Sequence, residues 1–400
     1  MNYSDFLKMV PEASLVSILI ILFVADFISA KAQERKWFNP LVCVLMFAQT
    51  LVCLLPQVAT SAFGGMYVTS NSVEAMKAIL SFGTLIVLIQ SKTWAIKSGK
   101  EGEFYMLIVS TLIGMYVMMS AGHFLMFFLG LEMASVPLAT TVAFDKYRND
   151  SAEAAAKFIL TATFSSGVML YGISLLYAAT GTLYYDDVVS KITPSALSIM
   201  GLVFFFSGLG FKISLVPFHF WTADTYQGAP TSVTGYLSVV SKGAAAFTLC
   251  TILMKVFASL VTYWTCLLFI VIVLSITIAN LFAIRQSELK RFMAFSSISQ
   301  AGYIVLAIVG NTSMSVTALS FYVLVYVVAN MAVFTIINVV EQANDGKTMI
   351  EDYNGFYTTN PKLAFLMTLA LFSLGGIPPF AGMFSKFFVF MASLKCADVQ

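Results

Sequence analysis

The chain has 400 residues, of which 59% are hydrophobic and 10% charged, with a formal net charge of +2 and a mean hydropathy of +0.87. Soluble domains carry about 25% charged residues, so this composition could not cover a water-facing surface, and the small net charge offers no footprint for nucleic acid. The apolar runs last about twenty residues, the length of a membrane-crossing helix, whereas outer-membrane strands alternate apolar and polar residues over about ten. The expected fold class is therefore an all-α polytopic membrane protein, in which each span satisfies its own backbone hydrogen bonds.

Twelve spans are predicted, at residues 12–30, 39–56, 73–91, 104–121, 122–143, 153–180, 195–226, 230–256, 261–283, 292–310, 315–341 and 361–395. The first apolar run, Ala13–Ser29, has no basic segment before it and no small-residue cleavage site after it, so it reads as a retained helix. Asp26 stands near its cytoplasmic end, and the third span carries Glu74 and Lys77 near its outer end. Asp26 and Lys77 are expected to snorkel or to pack at subunit contacts. His123 opens the fifth span and is read as interfacial. Glu132 lies mid-span in FLMFFLGLEMASVPL, too far from either end for a glutamate to reach water. Lys157, in the sixth span, follows Glu153 by four residues. It is either half of a helix-surface ion pair or a partner for Glu132.

The seventh span contains SGLGFKISLVPFHFW, with Lys212 among small and apolar residues. Gly208 and Gly210 allow another helix to approach. Pro217 cannot donate a backbone hydrogen bond and should free the carbonyl four residues earlier, breaking the helix. His219 and Asp224 follow the break. They are candidates to relay protons between Lys212 and cytoplasmic water, or His219 is a hydrogen-bonded histidine that fixes the broken helix. The eighth span carries Lys242 beside Ser238, Ser241 and Gly243. The twelfth, FSLGGIPPFAGMFSKFFVF, breaks at Gly375, Gly376, Pro378 and Pro379 and carries Lys386, which faces inward or snorkels. The longest polar connection, EQANDGKTMIEDYNGFYTTNP, joins the last two spans.

Orientation follows from lysine and arginine. The loops after the first, third, fifth, ninth and eleventh spans hold Lys31, Arg35, Lys36, Lys92, Lys97, Lys100, Lys146, Arg148, Arg285, Lys290, Arg291, Lys347 and Lys362, thirteen in all. The opposite side holds four: Lys8, Lys191, Lys255 and Lys395. Thirteen against four puts the amino terminus outside. The five cysteines, Cys43, Cys53, Cys250, Cys266 and Cys396, show no metal-binding spacing and an odd count, and read as small hydrophobes.

Ionisable residues inside spans are costly and mark function by default. Several lysines across successive spans, with one carboxylate, suit a chain of proton sites better than a substrate pocket. Widening a carboxylate–lysine pair from about 4 to about 8 Å changes its energy by roughly 2 kcal/mol at an effective dielectric of about 20. Moving a proton against ~150 mV costs about 3.5 kcal/mol. One rearrangement is not sufficient, so several coupled sites or an external driver are required. No cysteine cluster, haem-binding histidine pair, dinucleotide glycine loop or Walker motif is present. If electrons are involved, a partner supplies them.

The runs GLGFKISLVPFHFWTADTYQGAPTSVTGYLSVVSKGAAAF, LKRFMAFSSISQAGYIVLAI and GGIPPFAGMFSKFFVF resemble subunit N of the proton-pumping NADH:quinone oxidoreductases, respiratory complex I. The resemblance covers essentially the whole chain. It implies a fourteen-helix fold with two inverted five-helix repeats, the seventh and twelfth helices broken. Residues 1–103 would hold the first three helices, 104–256 the first repeat and 257–400 an incomplete second repeat, because the family continues for two more helices. Glu132 resembles the fifth-helix glutamate of the proton path and Lys157 the lysine near it. Lys212 resembles the central lysine, Lys242 the bridging lysine and Lys386 the lysine near the outer exit. Gln300, in SSISQAGY, stands where many relatives carry histidine. It cannot titrate, so its expected role is hydrogen bonding to water. The resemblance further implies no cofactor in this chain, with NADH, FMN, iron–sulfur clusters and quinone held by partner subunits. Its surroundings would be other membrane-arm subunits, the lipid bilayer and internal water, in a bacterial inner membrane. The leading expectation is proton translocation with Lys212 as central carrier, Glu132 tuning it and Lys242 passing the proton toward the twelfth span. An Mrp-type cation/proton antiporter subunit and a non-pumping structural bridge are the alternatives.

Overall fold

A computed structural model describes residues 3–29, 35–55, 59–344 and 346–394. Lys31, Lys395 and Cys396 lie outside the described residues. Every predicted span is found, with ends displaced by at most four residues. The elements in order are α1 (Val10–Ser29), α2 (Phe38–Leu54), the antiparallel pair β1 (Ser61–Ala62) and β2 (Tyr67–Val68), α3 (Asn71–Gln90), α4 (Lys92–Ser98), α5 (Glu101–Met119) and α6 (Phe124–Val142). Then come α7 (Asn149–Thr180), α8 (Tyr185–Lys191), α9 (Ala196–Ile213), α10 (Phe220–Gly228), α11 (Thr231–Tyr236), α12 (Lys242–Lys255), α13 (Val261–Ala283), α14 (Leu289–Val309), α15 (Ser313–Ala343), α16 (Phe356–Thr359), α17 (Pro361–Gly375) and α18 (Ala381–Leu394). Among the described residues, ten helical stretches are long and apolar enough to cross a membrane. The apolar α2 and the broken pair α17–α18 account for the other two predicted spans.

The stretch Thr231–Lys255 is the centre of the bundle, with 89% of its most apolar window buried against 22% for α7. The helices α5 and α6 cross closely. A Cβ on Gly114 would stand 2.4 Å from the Ala134 nitrogen, and one on Gly130 2.5 Å from the Met118 nitrogen. Helices in lipid associate through such close backbone approach. Gly114→Val is therefore expected to cost about 1–3 kcal/mol, since a backbone neighbour cannot rotate away. A lowered thermal unfolding midpoint in detergent is the check.

The seventh span breaks as expected: α9 stops at Ile213, four residues before Pro217, and Ser214 is left-handed at φ +68°. The Trp221 indole donates to the Phe211 carbonyl at 3.0 Å, and Ser275 accepts the Val216 amide at 2.9 Å. The eighth span is not a uniform α-helix. Leu237–Ser241 forms a π-turn that runs directly into Lys242, the kind of local widening often found at functional positions. Ser238 sets it apart chemically, donating to the Gly235 carbonyl at 2.7 Å and accepting from Asn330 of α15 at 2.6 Å. Finally, Lys290 is no surface loop lysine. It is buried in α14 and donates to the Ala229 carbonyl at 2.9 Å, closing the end of α10.

Candidate functional site

Both broken spans place a lysine against the break. Lys212 lies in the last turn of α9 and is 5% exposed. Its ammonium donates to Ser135 Oγ of α6 at 2.6 Å and stands 5.9 Å from the Phe158 ring centre. Ser135 follows Glu132 by one helical turn, so both polar groups of α6 look toward Lys212. Glu132 is half-buried, and it is the carboxylate whose charge acts on Lys212. Their contact is through space, while the hydrogen bond goes to the neutral serine. Gly208 meets Met169 of α7, and Gly210 meets Phe218 of the break, which lets the chain fold back closely here.

Lys242, 1% exposed at the end of the π-turn, donates to Ser297 Oγ of α14 at 2.7 Å. It stands 5.3 Å from the Tyr226 ring centre, and the Tyr226 hydroxyl is 3.4 Å from the same serine. His219 is buried at the start of α10, stacks on Phe220, and leaves Nδ1 without a partner. Lys212 itself bonds Ser135 and not His219.

At the second break, α17 ends at Gly375 and Gly376 takes the left-handed conformation at φ +81°. Pro378 and Pro379 lie in the following turn, before α18 begins at Ala381. Lys386 reaches back from α18 and donates to the Leu374 carbonyl at 2.9 Å and the Gly375 carbonyl at 3.0 Å. A Cβ on Gly376 would collide with the lysine stem at 2.9 Å. The ammonium stands 4.7 Å from the Tyr303 ring centre. The inward alternative for Lys386 is the one the structure adopts.

One face of α14 spans the interval between Lys242 and Lys386. Ser297, Gln300 and Tyr303 follow at intervals of three residues, and each touches one end of it. Gln300 donates to the Leu374 carbonyl at 3.2 Å and accepts from the Tyr322 hydroxyl. Its partners in the structure are thus protein groups. A cavity of about 10 Å³ is lined by Gln300, Tyr322, Tyr326, Ser373, Leu374, Ser385 and Lys386, which is room for one water.

Lys157 does not join this row. It pairs with Glu153 and Asp224, both at 2.7 Å, and not with Glu132. Asp224 is held on its other side by Arg291 at 2.7 Å, and Arg291 also donates to Gln227 at 2.8 Å. Lys157 is 45% exposed, so two nearby surface carboxylates capture it before a mid-membrane glutamate can. These groups line an open cavity of about 300 Å³ with Asp150 and Gln227. Asp224 therefore belongs to an ion-pair cluster with Lys157 and Arg291.

Among the described residues, Lys212, Lys242 and Lys386 make no salt bridge; each rests on hydroxyls or carbonyls. An ammonium held only by neutral groups can give up its proton without stranding a paired carboxylate. Ser135, Ser297, Tyr226 and Tyr303 were not singled out from sequence. The three-residue spacing of Ser297, Gln300 and Tyr303, and of Glu132 and Ser135, was the available signal.

Residues 121–400 match the family described as NADH:quinone oxidoreductase/Mrp antiporter, TM. The chain is 57% identical to NADH-quinone oxidoreductase subunit N of Phocaeicola vulgatus, over 98% of this chain and 84% of that protein. It is 50% identical to the subunit N of Azobacteroides pseudotrichonymphae, over 99% and 83%. Among solved structures, a chain of respiratory complex I from Thermus thermophilus superposes with a TM-score of 0.80 at 28% identity, covering 96% of this chain and 83% of that one. A chain of the Mrp complex from Dietzia shares the fold with a TM-score of 0.81 at 20% identity, covering 98% and 76%. The chain belongs to the NADH:quinone oxidoreductase/Mrp antiporter transmembrane family, in its NADH-quinone oxidoreductase subunit N branch.

Proposed function

We propose that this chain is a membrane-arm subunit of an NADH:quinone oxidoreductase and translocates protons while other subunits pass electrons from NADH to quinone. The observation that carries the reading is the row Lys212–Ser135, Lys242–Ser297 and Lys386–Leu374, two buried ammonium groups and one half-buried, all with neutral partners. Glu132 acts on the first by charge, and the Ser297–Gln300–Tyr303 face joins the second to the third. Hydroxyl and amide groups along that face accept and donate hydrogen bonds without holding net charge, so the lysines are the storage points and the groups between them are bridges. NADH, FMN, iron–sulfur clusters and quinone belong to partner subunits, and the driving force comes from them. The amino terminus faces outward across a bacterial inner membrane, a reading supported by the excess of basic residues on the opposite side. Residues 1–103 precede two inverted repeats at 104–256 and 257–400.

The test is native co-purification. Tagged protein extracted in mild detergent is expected to migrate with a large assembly that oxidises NADH. Migration with a smaller set of membrane proteins, together with cation-dependent proton exchange needing neither NADH nor quinone, would replace this reading with an antiporter.

A further inference from the structure

A second buried ionic centre stands on helices that the lysine row does not use. Lys77 of α3 is fully buried, and its ammonium pairs with Glu12 of α1 at 2.7 Å and with Glu74 at 2.8 Å. Each carboxylate residue is 4% exposed. The expectation that Lys77 snorkels is thereby overturned, because two carboxylates meet it inside the bundle. Glu12 is fully engaged: Tyr67 donates to its Oε2 at 3.1 Å, and Ser120 donates to Oε1 at 3.3 Å. Glu74 is not. Its Oε1 takes the Thr69 hydroxyl and Lys77, while Oε2 is buried without a partner.

The charges do not balance. Besides the triad, the groups facing it among the described residues are Tyr67 and Thr69 beside the β-pair, Tyr116 and Ser120 at the end of α5, and Cys53 of α2. None is a cation. The Tyr67 phenol, pushed well above the ordinary tyrosine range by burial and then by the Glu12 charge, remains a donor. The Tyr116 hydroxyl is tied to the Lys77 carbonyl at 2.9 Å and to Ser81. With both carboxylates ionised, the three side chains would carry one net negative charge inside the bundle, offset only by hydroxyls and by the first turns of α1 and α3. Two carboxylates crowded on one site do not both ionise readily, and one added proton makes this centre neutral.

We propose that Glu12, Lys77 and Glu74 form a proton-holding centre in which the two carboxylates share one exchangeable proton, carried at Glu74 Oε2. The ligand is a proton rather than a metal ion, since the ammonium already occupies one oxygen of each carboxylate. The centre continues inward through hydroxyls. Glu74, Lys77, Ser81 and Thr84 fall on one face of α3, and Thr84 approaches Tyr236, whose hydroxyl is 2.6 Å from Thr111. Tyr236 precedes the π-turn that runs into Lys242. The proposal stands independently of the lysine row, which it does not use.

Infrared difference spectroscopy on the intact complex tests it, with Glu74→Gln and Glu12→Gln as variants. Subtracting either variant from the parent protein should leave one carboxylic-acid carbonyl band that moves on transfer to deuterium oxide. Both variants should lose that band, because the proton belongs to the pair. Differences showing only ionised carboxylate in both would overturn the proposal and leave a permanently charged clamp. Should the glutamine variants not assemble, Glu74→Asp and Glu12→Asp keep the carboxyl. The acid band must then shift in frequency in each, and an unshifted band rejects the centre.

Discussion

Lys212→Ala is expected to lower coupled proton pumping by at least about a hundredfold in reconstituted membranes, the low end of what a positioned proton-transfer group contributes. The residue is buried at the end of α9 and its ammonium bonds the Ser135 hydroxyl, a neutral group that holds no proton charge of its own. The serine is not stranded by the change, because its own hydroxyl donates to the Leu131 carbonyl at 2.6 Å. The structural cost is a cavity, about 2–5 kcal/mol for a long buried side chain cut to alanine. Lys212→Met separates the two effects, since it keeps most of the volume and loses the proton. Pumping per electron is measured in proteoliposomes fed NADH and quinone. Normal stoichiometry in an assembled Lys212→Met complex would remove this lysine from the mechanism and favour the structural-bridge reading.

The second large effect is at a residue the sequence did not advertise. Ser297→Ala deletes the hydroxyl that holds the Lys242 ammonium at 2.7 Å. A hydrogen bond to a charged group contributes about 1.5–3 kcal/mol, so the protonated form of Lys242 should become roughly 10- to 150-fold less populated relative to the neutral form. The substitution removes one oxygen from a buried site and leaves little space, so assembly should be normal. Ser297→Thr restores the hydroxyl and should restore pumping. Equal pumping in the alanine and threonine variants would mean that the Lys242–Ser297 bond is structural only.

Much of the architecture could be read because the membrane leaves few solutions. A twenty-residue apolar run has no other way to satisfy its backbone than to form a helix, and all twelve predicted spans are present within four residues at each end. The short elements were missed for the same reason in reverse. The helices α4 and α8 and the pair β1–β2 lie outside the apolar runs, so length and hydropathy say nothing about them. Lys212, Lys242 and Lys386 announced themselves because an ammonium in an apolar run is costly wherever it points, whereas Lys290, in a polar stretch, did not. Their partners did not, since serine and tyrosine are cheap to place in a helix and carry no comparable signal.

The sequence by itself determined that this is a polytopic helical protein, where its helices lie, which two of them break, and that Lys212, Lys242 and Lys386 stand inside spans. Only the tertiary structure decided which charges meet. Lys157 and Lys77 look alike in sequence, each with a glutamate three or four residues before it. One is captured by Asp224 at an open mouth, while the other is sealed against Glu12 from α1. The difference depends on a carboxylate 65 or more residues away, and therefore on how helices cross. Local periodicity fixes which face a side chain takes, but ion-pair energy depends on separation and burial, and these exist only once the helices have packed.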